Sequence, residues 1–266
     1  MLDIKNAKHV FKQFLEEYKN KGDLGFDLKV VHTYHVTENA KKLDQGLNLK
    51  QEDVELAELI GLLHDIGRFE ELKILSKFDS IGFNHAEHGV KMLFEDDLIR
   101  KFIQDSEYDK IIKLAIANHS KLAIDEGLDE RTLLHCKIIR DSDKLDNFRV
   151  KKEEKIESIF PKMVKSKEEI ENSTMSETVY NSIKKLECVK LTDRKTPIDY
   201  WTCVLAFIFD LNFSISYKIV KENNYVNYLI DRFDYKISDT KEKMEDTRKI
   251  LNNYIDKKIK IYNYLS

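Results

Sequence analysis

The chain has 266 residues, of which 42% are hydrophobic and 35% charged, and its formal net charge is −3. This length suits one large domain, or a core with a smaller appendage. Two prolines and eight glycines are too few for a sandwich or barrel of many short strands, so the composition favours helices. The two charge signs are interspersed, and no basic face indicates nucleic-acid binding.

The cysteines and the apolar runs indicate the cellular location of the protein. Cys136, Cys188 and Cys203 are far apart and form no CxxC pair, which suits a reducing cytosol. Charges interrupt the N-terminal residues, so no signal peptide is predicted there. The most apolar run, residues 201–209, is far too short to span a bilayer. We therefore expect a cytoplasmic protein with no membrane partner.

The first half of the chain reads as a series of amphipathic helices. A helix is predicted over 30–47, and Asn48 with Gln51 can cap the next, whose apolar residues recur at helical spacing up to residue 63. Gly67 then reads as a stop signal. A short helix and a loop are predicted over 69–83, followed by helices over about 85–94, 109–119 and 129–147.

The second half continues the helical pattern. Residues 151–172 are highly charged and contain Pro161, which fits either a helix break with a mobile flap or a solvated helix pair. Thr196 is a good N-cap, with Pro197 at the first helical position and Asp199 at the third. A long terminal helix over 238–265 should pack on its own bundle through Met244, Leu251, Ile255 and Tyr262. The predicted architecture is a single all-α domain over 1–266.

Histidines and aspartates recur at the ends and faces of these helices. A lone histidine at an apolar boundary is usually structural, but here the residues fall on five successive helices whose apolar faces must point inward. Helix-bundle cores build metal sites from such ligands. Mixed nitrogen and oxygen ligation suits Fe, Mn, Co, Ni or Zn better than Ca. The candidate ligands are His32, His64, Asp65, His85, His119 and Asp143.

His64 and Asp65 stand side by side in the stretch LLHDIGRFE. Successive helical residues point about 100° apart, so two neighbours can approach one metal only where a helix ends. A carboxylate has two oxygens and can bridge two cations, which an imidazole cannot. Two cations that share Asp65 would explain why more than four candidate ligands are present.

Four motifs in order, HTYHV, LLHDIGR, HAEHGVKML and DKLD, resemble the HD-domain superfamily of metal-dependent phosphohydrolases. The resemblance covers about residues 28–148, which would form the metal-binding core on a five-helix scaffold. Residues from about 150 to 266 would be a helical extension. By this resemblance His32, His64, Asp65 and Asp143 would bind a first metal.

The branches of the superfamily with two metals imply two further ligands. His85, four residues before a glycine, is favoured over His88, and His119 resembles the other ligand, so two metals bridged by Asp65 are expected; Mg is also compatible. His35 stands where the family often has arginine, and a structural role is favoured for it. The Gly-Tyr-Pro motif of cyclic-dinucleotide phosphodiesterases is missing from this sequence, and Asn118 precedes His119, which argues against cyclic di-GMP hydrolysis.

The resemblance implies that metal-activated water attacks a phosphomonoester or phosphodiester of a nucleotide or related small metabolite. Asp65 and Arg68 are the predicted catalytic residues, because the guanidinium of Arg68 can grip two phosphate oxygens. Lys121 and Lys144 are further candidates for binding the substrate, and Asp146 for orienting a ligand or a water.

Two other functions remain compatible with the same ligands. One is an HD-type di-iron oxygenase that cleaves C–C or C–P bonds with O₂, and the other is a ligand-binding HD module without turnover. A homo-oligomer is compatible with the sequence.

Overall fold

The computed structural model describes residues 2–19, 25–75, 82–159, 164 and 166–265, and its regular elements in these ranges are all helical, without a strand. The all-α prediction is therefore confirmed. The chain divides into two compact units, Met1–Asp143 and Lys144–Ser266. The predicted single domain, and its predicted division into a core over 28–148 and an extension from about 150, stay predictions.

Within the described ranges the first unit contains eight helices, and the last of them continues past Asp143 into the second unit. They are α1 (Ile4–Glu16), α2 (Gly25–Gly46), α3 (Gln51–Leu63), α4 (Ile66–Leu75), α5 (His85–Phe94), α6 (Ile99–Phe102), α7 (Asp109–Asn118) and α8 (Glu130–Glu153).

In the part of the second unit that the structure describes, seven α-helices and two short 3₁₀ turns follow. They are α9 (Ile156–Ile159), α10 (Lys167–Glu171), α11 (Glu177–Lys185), the turn Leu191–Asp193, α12 (Pro197–Leu205), the turn Ala206–Asp210, α13 (Ser214–Glu222), α14 (Tyr225–Asp231) and α15 (Ser238–Leu265).

Helix α3 is the centre of the first unit, because every residue from Val54 to Leu63 is buried. Helix α2 packs very closely on it: a Cβ on Gly61 would lie 2.9 Å from the Cα of Thr37. Phe11 and Phe14 of α1 stack edge-on against Phe69 of α4 and close the other side of the core. Burial of this apolar surface is the main force that holds the helices together.

Two local predictions near α3 are wrong. Asn48 does not cap α3; it has a φ of 55° in the turn that follows α2, a left-handed conformation that asparagine tolerates well. Lys50 is the N-cap of α3 and makes no side-chain capping bond. Gly67 is not a stop signal either, since it is the second residue of α4, and its role is close packing against α5.

Several predictions for the second unit agree with the structure. Thr196 is the N-cap of α12, with Pro197 first in the helix, and the Asp199 carboxylate accepts a hydrogen bond from the Thr196 backbone N–H (3.1 Å). Met244, Leu251 and Ile255 of α15 are buried, and α15 packs on α11, α13 and α14 of its own unit; the side chain of Tyr262 lies outside what the structure describes. Pro161 lies outside the described residues, so the predicted flap over 151–172 stays a prediction.

No disulfide joins the three cysteines. No helix in the described ranges combines the length and the apolarity that crossing a bilayer requires. The cytoplasmic location stays a prediction.

Candidate metal centre

The six predicted ligands lie on five helices of the first unit or at the ends of these helices. Four of the six are at helix ends. His32 lies within α2, His64 is the C-cap of α3, Asp65 lies between α3 and α4, His85 begins α5, His119 is the C-cap of α7, and Asp143 lies on α8. Asn84 fixes the start of α5 by accepting a hydrogen bond from the backbone N–H of Glu87.

These side chains form two groups of three. In each group one potential ligand atom per residue lies within 4.8 Å of the others. The first group is His32, His64 and Asp143, and the second is Asp65, His85 and His119. All are buried except Asp143, which is partly exposed.

The two oxygens of Asp65 face different groups. Oδ2 lies 3.8 Å from Nε2 of His32 and 3.6 Å from Nε2 of His64. Oδ1 lies 3.3 Å from Nε2 of His85 and 3.6 Å from Nε2 of His119. The Asp65 carboxylate therefore stands between the two groups with one oxygen directed at each.

Backbone carbonyls orient two of the imidazoles. Nδ1 of His64 donates to the carbonyl of Gly61 (2.8 Å), and Nδ1 of His119 donates to the carbonyl of Ile116 (2.7 Å). A carbonyl only accepts, so Nδ1 of each ring carries the proton and Nε2 presents its lone pair. Within the described residues, the buried Nε2 of His64 has no hydrogen-bond partner. Such fixed, inward-facing nitrogens suit metal ligation.

The spacing of the donor atoms also fits a cation. Nε2 of His85 and Nε2 of His119 are 3.0 Å apart. Two nitrogens that bind one ion at about 2.1 Å are separated by about 3.0 Å at an octahedral angle and about 3.4 Å at a tetrahedral one. In the other group, Nε2 of His32 lies 3.1 Å from Oδ1 of Asp143. Mixed imidazole and carboxylate donors match a divalent transition metal.

The charges of the site favour the forms that bind metal. Burial would raise the pKa of Asp65, but the Lys29 ammonium and the neighbouring histidines outweigh it and hold that pKa well below its ordinary value. Burial likewise opposes ionisation of Asp143, yet the hydrogen bond from His32 keeps the pKa of this carboxyl low. Burial lowers the pKa of His64 to about 4. Carboxylates and neutral imidazoles are the ligand forms.

Arg68 lies beside this centre. Its Nε is 3.7 Å from Oδ1 of Asp65, and its Nη1 donates to the buried carboxylate of Glu71 (3.0 Å). The Arg68 charge adds to burial in holding the pKa of His85 well below its ordinary value. The guanidinium is thus held beside the Asp65 carboxylate by Glu71, which lies one turn further along α4.

The sequence reasoning missed Lys29. Its Nζ lies 3.1 Å from Oδ2 of Asp65, and 23% of its side chain is exposed. Lys29 precedes His32 by three residues on α2, so the two side chains share a helix face. That spacing is the signal that would have found it.

The structure places the other candidates differently. The ammonium of Lys121 is exposed and pairs with Asp125 (2.6 Å), and Lys144 pairs with Asp210 of the second unit (2.7 Å). Asp146 of the second unit accepts from Arg149, and the binding roles suggested for these residues stay predictions. His35 is exposed. His88 packs against the ring of Phe83, with centroids 4.9 Å apart.

Residues 30–147 match the family model of the HD domain. This part of the chain is therefore an HD domain, a domain typical of a superfamily of metal-dependent phosphohydrolases, and the predicted resemblance over about 28–148 is confirmed. Together with the two groups of ligands, the match indicates binding of divalent metal. Comparison with the curated proteins and with the solved structures gave no match.

Proposed function

We propose that the protein is a phosphohydrolase with two divalent cations, and that it cleaves a phosphomonoester or phosphodiester bond of a nucleotide or related small metabolite. The observation that carries the proposal is the position of Asp65. Its two oxygens face two separate groups of ligand atoms, at 3.3–3.8 Å from the four imidazole nitrogens around it. A single cation needs only one of these groups.

Under this proposal each group holds one cation and Asp65 is shared. His32, His64 and Asp143 would hold the first, and His85 and His119 the second. When bound, such cations activate a water molecule for attack and neutralise charge on the phosphate. Asp65, with its low pKa, stays ionised and keeps both oxygens available throughout.

The protein's own cations suit an anionic substrate. The side chains of Lys29 and Arg68 are 23% and 13% exposed, so both are partly open to solvent beside the bridging carboxylate. Arg68 is held by Glu71, and a positioned guanidinium can donate to two phosphate oxygens while negative charge builds up on them. Two cationic side chains at this position favour a substrate that carries negative charge.

The test is phosphate release from a panel of nucleotides and phosphoesters, measured with Mn²⁺ on full-length protein together with its metal content. We expect two equivalents of metal and turnover of at least one phosphoester. Asp65→Asn should lose both the second equivalent and turnover, and Arg68→Met should lower kcat with the metal retained. Asp96→Asn, an exposed aspartate on the loop after α5, is the matched control.

Other results would contradict the proposal. If the wild type binds only one equivalent of metal, and this equivalent survives removal of both His85 and His119, the shared site is excluded. Oxygen uptake without phosphate release would support the di-iron oxygenase instead. Stabilisation by a nucleotide without any product would support a binding module.

A further inference from the structure

Arg140 is a buried arginine on α8, three residues before Asp143, with 2% of its surface exposed. Its guanidinium donates to backbone carbonyls at and just beyond the end of α7. Nη1 donates to the carbonyls of Asn118 (2.8 Å) and Lys121 (2.6 Å), and Nη2 to that of Leu122 (3.3 Å). Nη1 also lies 3.5 Å from the carbonyl oxygen of His119 itself.

These contacts provide hydrogen-bond donors to carbonyl groups at and beyond the end of α7. The last carbonyls of a helix have no partner within the helix, and its C-terminus carries partial negative charge. A planar guanidinium can serve several such carbonyls at once, which an ammonium cannot do with fixed geometry. Arg140 therefore ties the turn that bears His119 to the helix that bears Asp143.

Asn118 reinforces the same turn from within. Its side chain is buried, its amide donates to the carbonyl of Leu114 (2.9 Å), and its Oδ1 accepts from the backbone N–H of Asp125 (2.9 Å). The turn is thus held from its own helix by Asn118 and from α8 by Arg140. His119 lies between these two supports, and its Nε2 lies 3.6 Å from Oδ1 of Asp65.

The other group of ligands has separate supports. His64 is oriented by the carbonyl of Gly61, and His32 lies within α2 beside Asp143. Arg140 makes four hydrogen bonds to backbone carbonyls of residues 118–122, on the turn that bears His119. Loss of its guanidinium should therefore move His119 and leave His32 and His64 in place.

We propose that Arg140 is a positioning residue for His119, and that it sets the affinity of the Asp65–His85–His119 group for its cation without affecting the His32–His64–Asp143 group. This inference rests on the proposed function, because it assumes that each group takes one cation. Residues that support a metal ligand typically change metal affinity 10- to 100-fold when they are removed.

The experiment is a titration of chelator-treated, full-length protein with Mn²⁺, followed by calorimetry and by metal analysis after dialysis. In Arg140→Gln we expect the second equivalent to bind at least about 10-fold more weakly and the first to bind within about twofold of wild type. His119→Ala should show the same pattern more strongly. With Co²⁺, only the absorption bands of the second equivalent should shift.

Two further variants separate positioning from general stability. Arg140→Lys keeps the charge and the fold but not the planar fork, so it should show a smaller loss confined to the second equivalent. It also serves as the test if Arg140→Gln does not fold. Arg131→Gln removes another α8 arginine, which pairs with Glu52 and Asp53, and should bind both equivalents like wild type.

The outcomes distinguish this inference from the proposed function. If wild type binds two equivalents and both Arg140 variants bind them unchanged, the role of Arg140 is excluded and the proposed function stands. Equal weakening of both equivalents would also exclude selective positioning. If wild type itself binds only one equivalent, the two-cation proposal fails in the unmutated protein, and this inference fails with it.

Discussion

Asp65 is a buried carboxylate that lies close to several charged or titratable side chains. Its carboxylate is 4% exposed and faces four imidazole nitrogens and the Lys29 ammonium. A buried carboxylate needs a compensating positive charge. Lys29 lies closer to this carboxylate than Arg68 does, and a metal cation at Oδ2 would compete with the Lys29 ammonium.

Lys29→Met should therefore have opposite effects on the two forms. The metal-free protein should lose about 1–3 kcal/mol of stability, less than for a fully buried pair because Lys29 is partly exposed. Mn²⁺ should bind roughly 10-fold more tightly, because the repulsion between two cations is gone. Urea unfolding and calorimetry measure these changes. Lys42→Met, an exposed lysine on the same helix, should alter neither.

A second buried carboxyl group lies outside the metal centre. Asp44 of α2 is fully buried, and neither of its oxygens has a hydrogen-bond partner within the described residues. Burial and the nearby charge of Asp53 raise the pKa of Asp44 from 3.8 to about 8. The folded protein therefore holds a proton on Asp44 at pH values where the unfolded chain has released it.

The sign of the pH effect follows from this difference. Because the pKa is higher in the folded state, the contribution of Asp44 to stability is greatest below pH 4 and is lost as the pH rises toward 8. Asp44→Asn removes this loss. The free energy of unfolding of the variant minus that of the wild type should therefore be up to about 4 kcal/mol larger at pH 9 than at pH 5. Urea unfolding at the two pH values tests this. A difference that does not change with pH would contradict it.

At the scale of elements, the packing of α4 on α5 positions His85. A Cβ on Gly67 would lie 2.1 Å from the carbonyl oxygen of His85 and 2.7 Å from the backbone nitrogen of Gly89. Backbone atoms cannot move aside like a flexible side chain. Glycine is therefore required at position 67 for this approach, and the approach brings His85 to Asp65.

Gly67→Ala should separate the two helices. We expect a loss of more than about 2 kcal/mol in stability and weaker binding of the second equivalent of Mn²⁺, because His85 moves with α5. Gly89→Ala is the matched control from the other side of the contact. Its Cβ would meet the Ile66 side chain at 3.2 Å and the backbone nitrogen of Gly67 at 3.3 Å, contacts much less severe than 2.1 Å, and alanine favours the helix, so a clearly smaller loss is expected. Equal effects of the two variants would contradict the argument.

At the scale of the whole molecule, all six candidate ligands belong to the unit Met1–Asp143. They come from helices far apart in the chain, so a cation that binds them links these helices in the folded state only. Binding to the folded state alone raises stability by mass action.

Mn²⁺ at about 100 times its dissociation constant should therefore stabilise the chelator-treated protein by about 2.7 kcal/mol per site. The increase should appear as a higher melting temperature in scanning calorimetry. Asp65→Asn should reduce it sharply, whereas Asp96→Asn should keep it. A melting temperature that does not respond to any divalent transition metal would contradict a resident metal centre.

Much of this organisation could be predicted from the sequence, and for local reasons. Helix boundaries at His85 and Pro197 follow from capping chemistry among adjacent residues, and both predictions agree with the structure. The ligand types and their order follow from motifs of a few residues. The role of Gly67 was mispredicted because it depends on the backbone of α5, and that of Asn48 because it adopts a left-handed conformation in the turn after α2 instead of capping α3.

The sequence by itself determined the helical class, the HD domain and the set of imidazoles and carboxylates available to a metal. Only the tertiary structure decided that one oxygen of Asp65 faces each group, that Lys29 lies 3.1 Å from it, and that Arg140 reaches the carbonyls around His119. The physical reason is the separation along the chain over which each kind of interaction acts. Capping and periodicity act within a few residues, whereas these contacts join residues about 20 to 55 positions apart, and their distances exist only once the helices have packed.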